Sequence, residues 1–568
     1  MKPLYQNSLE LDAAGGSSAN PLKLDFNERS DSRPLWLSDD AVSTECLWRY
    51  PDKSGLQAAA SQFYGIDESQ LLLTNGGDES IELLFKLACL QNRKLILPLP
   101  AFSQYLAGKD TWGSTVDLVE PLDDMRINLC GAQQCLDNHS ILILTSPNNP
   151  TGELIPYDEL VETCELARSK GAMVFLDEAY IEFACNETDS TLGLIQEFDN
   201  LVILRTLSKA FGLAGIRCGY LLGQAAMVSQ FKRLAMPFNL SSPTIEIATK
   251  AFSDSAKLEV INYAQTIAQN REQVAEILLS AGLRLVDSSA NFVFVQGSSE
   301  KIRLIKAACQ KRNIVIKTTL SGLSATRTDI EAIRITIPFY IKPLLSAMQW
   351  AVKPELLCFD MDGVLIDTSK SYDAAIKATV KTFTGKDIAQ SDIEALRGQG
   401  GFNNDWVLTQ ALIKQLGVES DLKQVTETFQ EFYQGTQDSK GFKELETVIL
   451  SQKLLQKVFI TDSKRLKTAI VTGRPKDEAI DGTQFVGARN TLVISDDDVQ
   501  VSKPNPEGVI KAKQYYGKEA CWMLGDTPDD MAAANGANAL AIGVGSDSLY
   551  DFGADLVLTS VNELETLL

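Results

Sequence analysis

Histidine is almost missing: the 568-residue chain carries one, His139. A site needing two or three imidazoles is therefore excluded, and with it any polyhistidine metal centre, although a Ser-His-Asp hydrolase could still be assembled. Chemistry must rest on Lys, Asp, Arg and Ser/Thr side chains, or on a cofactor. The ten cysteines include no CxxC pair, and Cys89, Cys358 and Cys521 sit in apolar runs as small core residues do, which suits a reducing cytoplasm. The chain has no run of 18 uncharged apolar residues, and its N-terminus, MKPLYQNSLELDAAGG, has no apolar stretch of signal-peptide length, so export and membrane insertion are not expected. A segregated basic patch is lacking too. With 53 Lys+Arg against 74 Asp+Glu and a net charge of −21, nucleic acid and anionic membranes are poor partners.

What is present is a globular composition, 45% hydrophobic and 22% charged, with length for three or four folding units. Residues 1 to about 40 are rich in Ser, Asp, Pro and Gly and are expected to form an arm with little regular structure. From Leu71 onward short apolar runs alternate with helical patterns, at Leu95–Leu97, Ile141–Leu144, Met173–Leu176, Leu201–Leu204 and Tyr220–Leu222. Buried strands separated by helices predict an α/β fold with a parallel sheet covered on both faces. Residues 244 to 280 read as one long helical stretch, and strands at Asn291–Val295 and Ala332–Ile337 with a helix between predict a small α+β domain. A fresh strand at Leu356–Phe359 opens a second half, where 371 to about 455 is helical and charged and strands return at Ala469–Val471, Leu492–Ile494, Trp522–Leu524, Ala539–Ile542 and Leu556–Leu558. The expected division is an arm 1–40, a large domain 41–243, a small domain 244–353, and an α/β domain 354–568 interrupted by a helical insertion over 371–455.

The first constellation centres on Thr206-Leu-Ser208-Lys209-Ala-Phe-Gly-Leu-Ala-Gly215-Ile-Arg217, just past a strand. A lysine so placed, with a hydroxyl one residue before and an arginine eight after, can hold a phosphorylated aldehyde such as pyridoxal 5′-phosphate: Lys209 joins the aldehyde while Ser208 and Arg217 take the phosphate. Asp177 ends another apolar strand, where a buried carboxylate can keep a pyridine nitrogen protonated. Tyr180 and Asn149 can donate to the cofactor's phenolate oxygen. The turn Asn75-Gly76-Gly77-Asp78 opens a helix whose free N–H groups make a phosphate cradle, and Phe102 can stack on the ring. Each piece has a plainer alternative, since Asp177 could cap a turn, Phe102 could be core and Asn149-Pro150 is an ordinary turn former. Their joint occurrence in this order argues for the site.

Over residues of about 20 to 350 the chain resembles the fold-type I aminotransferases, and among them the histidinol-phosphate aminotransferase family. The resemblance rests on Leu24-Asp-Phe-Asn27-Glu28, Arg49-Tyr50-Pro51, the Gly-Gly-Asp-Glu turn, Ser146-Pro-Asn-Asn149-Pro-Thr-Gly152, Asp177-Glu-Ala-Tyr180, the Ser208-Lys209 stretch and Arg334-Ile-Thr-Ile. It implies that Lys209 is catalytic and that Arg334, with Asn27 nearby, binds the substrate's anionic end. It also implies that Tyr50 reaches the cofactor phosphate of a neighbouring subunit in a homodimer. The chain departs from the family where Asn27-Glu28 continues as Arg29-Ser30 and where Pro338-Phe-Tyr follows the Arg334 strand.

The second constellation is Asp360-Met-Asp362 at the end of a buried strand, a spacing that turns both carboxylates toward one side. Thr472 in Thr-Gly-Arg474, Lys503 in Ser-Lys-Pro, and Gly525-Asp526-Thr-Pro-Asp529-Asp530 complete a set. Together they resemble the haloacid dehalogenase superfamily over residues 355 to 568. That resemblance implies Asp360 as nucleophile toward phosphorus, Asp362 as acid and base, and Thr472 and Lys503 on the phosphoryl oxygens. It further implies Mg²⁺ held by Asp360, the backbone carbonyl of Asp362, Asp526 and Asp530 or Asp529, beneath a helical cap. The loop Arg397-Gly-Gln-Gly-Gly401 of the insertion could reach inward to the site, but a flexible surface loop is the favoured expectation.

The combined expectation is a bifunctional cytoplasmic enzyme, a transaminase acting on histidinol phosphate or a related amino substrate with 2-oxoglutarate, fused to a Mg²⁺-dependent hydrolase of a phosphate monoester, in histidine biosynthesis. The rivals are the same two chemistries on another aromatic or phosphorylated amino acid, and one half serving as a non-catalytic regulatory module.

Overall fold

The structure is a computed structural model that describes residues 20–38, 42–43, 47–184, 191–399, 402, 404–437, 439–460, 465–488 and 491–568. It divides into two compact units, residues 1–298 with 312–345, and residues 299–311 with 346–568. Among the described residues no helix is long and apolar enough to cross a membrane, and no disulfide is present.

The first unit is built on a seven-stranded sheet in the order Leu71–Thr74, Gly219–Gly223, Leu201–Thr206, Met173–Asp177, Ser140–Thr145, Lys94–Pro98, Val116–Val119. The strands from Leu201–Thr206 outward to Val116–Val119 pair in parallel. Inward of the edge strand Val116–Val119 they are buried along nearly their whole length, as continuous apolar runs in a two-face-covered sheet must be. The sheet is not wholly parallel, as alternating strands and helices suggested: Gly219–Gly223 runs antiparallel to both its neighbours. The reason is the connection. Residues 207–218 hold one short 3-10 turn, Ala214–Ile216, and no crossover helix to return the chain to the starting edge.

A three-stranded antiparallel sheet, Ala332–Thr336, Phe292–Gln296 and Arg284–Leu285, makes the smaller sheet of this unit. The long helical stretch is two helices, Ser242–Ala251 and Asp254–Ser280, because the Ser253 hydroxyl accepts from the Ala256 amide and starts a new helix. Much of the expected arm lies outside the described residues. Its described part is more ordered than its composition suggests, since Leu22–Leu24 pairs in parallel with Ile314–Ile316 and Asp31 accepts from the amides of Phe339 and Tyr340.

The second unit has six parallel strands in the order Leu492–Ile494, Lys467–Val471, Leu356–Phe359, Cys521–Gly525, Leu540–Val544, Leu556–Leu558. The insertion packs helices Tyr372–Thr384, Asp405–Gln415 and Leu422–Gln434 around their own core of Ile376, Leu408, Leu412 and Phe429. It is not free of strands: Ile366–Asp367 and Thr447–Val448 pair antiparallel where the chain enters and leaves it.

The helix Lys342–Val352 is cut by the division, and its Trp350 lies in the second unit. Trp350 is 1% exposed; its indole N–H donates to the Cys521 carbonyl and its own carbonyl accepts from the Trp522 indole, both at 2.9 Å. Trp350→Ala should therefore destabilise the second unit by about 3–5 kcal/mol, the usual cost of emptying a buried Trp site. A melt of the full chain followed by loss of phosphate-ester hydrolysis reads this out; an unchanged midpoint would contradict it.

Candidate active sites

In a parallel sheet the carboxyl ends of the strands open onto one edge, which gathers residues distant in sequence. Asp177 ends its strand, Lys209 follows the end of Leu201–Thr206, and Asn149 follows Ser140–Thr145. All three line one cleft of about 340 Å³, with Asn27, Gly77, Asp78, Phe102, Tyr180, Ser208, Arg217 and Arg334. The sequence reading thus places its candidates together, with one exception. Tyr50 is outside the cleft, 82% exposed and stacked on Phe238 at 4.7 Å between ring centres.

Lys209 Nζ donates to the Phe26 carbonyl at 3.0 Å and lies 5.5 Å from the Tyr180 ring centre. The Tyr180 hydroxyl accepts from the Asn27 amide at 3.0 Å and from the Asn149 amide at 3.4 Å, so both Asn residues point at the oxygen expected to serve the cofactor. Arg334 donates to Asn149 Oδ1 and to the Asp25 carbonyl, each at 2.7 Å, while its Nε has no hydrogen-bond partner. At the opposite end Thr206 donates to Ser208 at 2.9 Å and Arg217 donates to Asp78 at 2.7 Å, beside the start of helix Gly76–Leu90. Gly219 has to be glycine here: a Cβ would stand 2.7 Å from the Gly76 carbonyl carbon.

Two residues of this site escaped the sequence reading. The Tyr105 hydroxyl donates to Asp177 Oδ2 at 2.8 Å, and the Ala179 amide donates to Oδ1 at 3.1 Å, so the carboxylate is aimed from both sides. Tyr105 lies three residues after Phe102, near enough in helical spacing to have been a candidate. Lys317 lines the cleft and forms a β-bridge with Arg334. Its only sequence signal was its place one residue beyond the short strand Ile314–Ile316. Arg29, at the departure from the family motif, binds Glu259 at 2.6 Å and lies 4.0 Å from the Tyr263 ring centre, so it adds no further anion grip.

The residues fit pyridoxal 5′-phosphate. Burial pushes the Asp177 carboxyl up to about 6, against relief from Tyr105 and the Ala179 amide, so the site is short of a cation that a protonated ring nitrogen would supply. The sign for the cofactor-free protein follows. With the folded value above the unfolded 3.8, Asp177 is protonated in both states at low pH, and its contribution to stability falls as pH rises from about 4 to about 6. Thermal melts should show that slope in the apoprotein and a weaker one in Asp177→Asn or after adding the cofactor; identical slopes would contradict the assignment.

In the second unit Asp360, Thr472 and Asp526 stand at or just past the carboxyl ends of three neighbouring strands. Lys503 Nζ donates to Asp360 Oδ1 at 2.7 Å and to Asp530 Oδ1 at 2.6 Å. Burial alone would lower the Lys503 ammonium, but these two carboxylates outweigh it and hold it above the ordinary lysine range. Oxygens of Asp360, Asp526 and Asp530 lie within 4.8 Å of one another. Burial, with neighbouring carboxylates adding to it, raises Asp360 to about 7 and Asp526 well above the ordinary range, and Asp526 Oδ1 has no hydrogen-bond partner. Three crowded carboxylates with one orphaned oxygen fit a divalent cation of the Mg²⁺ kind. A Cβ at Gly363, whose φ is +72°, would collide with the Asp526 carboxylate, so glycine leaves that carboxylate its room.

The carboxylate of Asp362 is not in this cluster. It is turned onto Arg474, which leaves the backbone carbonyl as the part of residue 362 able to face a metal. Arg397, expected on exposed surface, instead lines the cleft with Asp360 and Asp526. Asp373 and Asp405, each at 2.7 Å, hold its guanidinium there. Gly400 and Gly401 of that loop lie outside the described residues. His139 is exposed.

The family of class I and II aminotransferases matches residues 43–338, and the haloacid dehalogenase-like hydrolases match residues 357–544. The histidinol-phosphate aminotransferase of Vibrio vulnificus (strain YJ016) is 33% identical over 296 residues, 50% of this chain and 84% of that protein. That of Cronobacter sakazakii is 35% identical over 271 residues, 45% of this chain and 71% of that protein. Among solved structures, the histidinol-phosphate aminotransferase from Clostridium acetobutylicum superposes with a TM-score of 0.52 at 24% identity, covering 58% of this chain and 98% of that one. The enzyme from Sinorhizobium meliloti in complex with pyridoxal-5′-phosphate gives 0.51 at 22% identity, covering 62% and 97%. These last two likenesses concern the fold. The chain belongs to the class I and II aminotransferases and carries, behind that half, a haloacid dehalogenase-like hydrolase domain.

Proposed function

We propose that the chain is a bifunctional cytoplasmic enzyme of histidine biosynthesis. Its first half transaminates histidinol phosphate against 2-oxoglutarate with pyridoxal 5′-phosphate, and its second half hydrolyses a phosphate monoester with Mg²⁺. The observation that carries the substrate is the pair Arg334 and Lys317, joined by an isolated β-bridge in the cleft of Lys209. Two cations suit a substrate whose far end is a phosphate dianion rather than a single carboxylate. The name shared by the relatives points the same way.

Bound in the first cleft, the cofactor supplies the electron sink for bond-breaking at the substrate carbon that bears nitrogen. Lys209 Nζ carries the proton between that carbon and the cofactor carbon. Asp177, oriented by Tyr105, holds the charged ring nitrogen, and Tyr180 and Asn149 face the phenolate oxygen. Ser208, Arg217 and the amides around Gly77 and Asp78 take the phosphate, and Phe102 covers the ring. The exposed Tyr50 supports a homodimer in which it serves the partner's cofactor. In the second cleft Asp360 attacks phosphorus, Thr472 and Lys503 hold the phosphoryl oxygens, and Asp360, the carbonyl of Asp362, Asp526 and Asp530 would hold Mg²⁺.

Incubation with histidinol phosphate and 2-oxoglutarate should yield glutamate; no amino transfer would remove histidinol phosphate as substrate. The helical insertion favours a second reading of the hydrolase half alone, in which the ester is another phosphorylated amino compound, since Arg397 and Trp406 of the insertion line that cleft. A screen of phosphate esters with the full chain decides between them.

A further inference from the structure

We propose that Arg474 is a positioning residue that holds the Asp362 carboxylate and ties it to the helical insertion. The inference rests on the phosphatase reading of the second cleft and adds a part to it. Arg474 is 3% exposed, and its guanidinium meets Asp362 edge on: Nε lies 3.0 and 3.1 Å from the two carboxylate oxygens and Nη2 lies 2.6 Å from Oδ1. A forked contact of this kind fixes both the distance and the plane of a carboxylate, which a lysine could not do.

The same guanidinium reaches out of the core. Nη2 donates to Glu446 at 3.1 Å, Nη1 donates to the Tyr433 hydroxyl at 3.4 Å, and the group lies 5.1 Å from the Tyr372 ring centre. Tyr433 and Tyr372 stand on two helices of the insertion, Leu422–Gln434 and Tyr372–Thr384. Glu446 lies just before Thr447–Val448, the strand by which the chain leaves the insertion. Glu446 also accepts from Tyr433 at 2.9 Å and from Ser371 at 3.2 Å, so it is fixed from the insertion's side. Arg474 is thus one buried cation shared by the acid of the core and a carboxylate of the insertion. Asp362 and the insertion therefore share one fixed partner.

The chemistry says what this does. In the first step the Asp360–phosphorus bond forms, the bond from phosphorus to the leaving oxygen breaks, and the proton of Asp362 goes to that oxygen. In the second, a water proton returns to Asp362, the water oxygen bonds to phosphorus, and the Asp360–phosphorus bond breaks. Both proton transfers need Asp362 within hydrogen-bond reach of one point. A poor leaving group depends on the first transfer, whereas a leaving group stable as an anion does not.

The test compares first-turnover release of the leaving group, which precedes the water step common to all esters, from a primary alkyl phosphate and from 2,4-dinitrophenyl phosphate in the full chain with Mg²⁺. Arg474→Ala should lose about 10²-fold or more on the alkyl ester, the size of a general-acid contribution, and less than about tenfold on the dinitrophenyl ester. Arg474→Lys, which keeps the charge without the fork, should recover part of the alkyl activity. It carries the same comparison should the alanine variant not fold. Equal losses on the two esters, or no loss on either, would overturn the proposal while leaving the hydrolase standing. Wild-type protein that cleaves neither ester would overturn the phosphatase reading and this inference with it.

Discussion

Lys209→Ala abolishes amino transfer while leaving phosphate-ester hydrolysis intact: this is the largest expected effect on the first half. Lys209 is the lysine placed beside Tyr180 and Asn149 in the cleft of Asp177, and no other cleft residue can take its place at the reacting carbon. The second lysine lining the cleft, Lys317, forms a β-bridge with Arg334. The loss should be on the order of 10⁴-fold or more, since one residue supplies both covalent attachment of the cofactor and proton transfer. Borohydride reduction followed by peptide mass analysis gives a readout independent of turnover. Wild-type protein should retain the cofactor on the Lys209 peptide and the variant should not. Full transaminase activity in the variant would overturn the assignment of the site. Retained hydrolysis in the same preparation shows that the chain has folded.

Asp360→Asn is the corresponding experiment on the second half, and it should reduce phosphate release from p-nitrophenyl phosphate by about 10⁴-fold or more, as loss of a nucleophile does. The argument is the partner set. Asp360 is buried, bonded to Lys503 at 2.7 Å, and part of the three-carboxylate cluster. An amide at that place cannot serve as an anionic nucleophile and is a weaker ligand for a divalent cation. It does relieve repulsion from Asp526 and Asp530, and Lys503 keeps its contact with Asp530 at 2.6 Å. The metal-free variant should therefore melt no lower than metal-free wild type, which separates a chemical defect from a folding one. Chelation of the wild type should stop hydrolysis and spare transamination. A variant that still releases phosphate at the wild-type rate would show that Asp360 is not the nucleophile.

Much of both sites was legible because strand ends are local signals. A short apolar run followed by an acid, a lysine or a threonine marks the carboxyl end of a buried strand, and parallel pairing brings such ends to one edge. Asp177, Lys209, Asp360, Thr472 and Asp526 were found in that way. Residues that act through distant partners were not. Tyr105 had only its helical spacing from Phe102 as a local signal, and its partner Asp177 is 72 positions away. Arg474 looks like part of a Thr-Gly-Arg turn; its partners Asp362 and Glu446 are 112 and 28 positions away. Arg397 was misjudged for the same reason, because a glycine-rich neighbourhood suggests an exposed loop while Asp373 and Asp405, brought close by helix packing, hold it in the cleft.

By itself, then, the sequence determined the two chemistries, the residues at the strand ends and the α/β class, because each follows from short-range pattern: burial, turn formation and residue type. Tertiary structure alone decided the antiparallel course of Gly219–Gly223, the place of Trp350 in the second unit and the pairing of Arg334 with Lys317. It alone also turned Asp362 onto Arg474. These depend on which surfaces meet once helices and sheets pack, and packing joins residues that no local pattern connects.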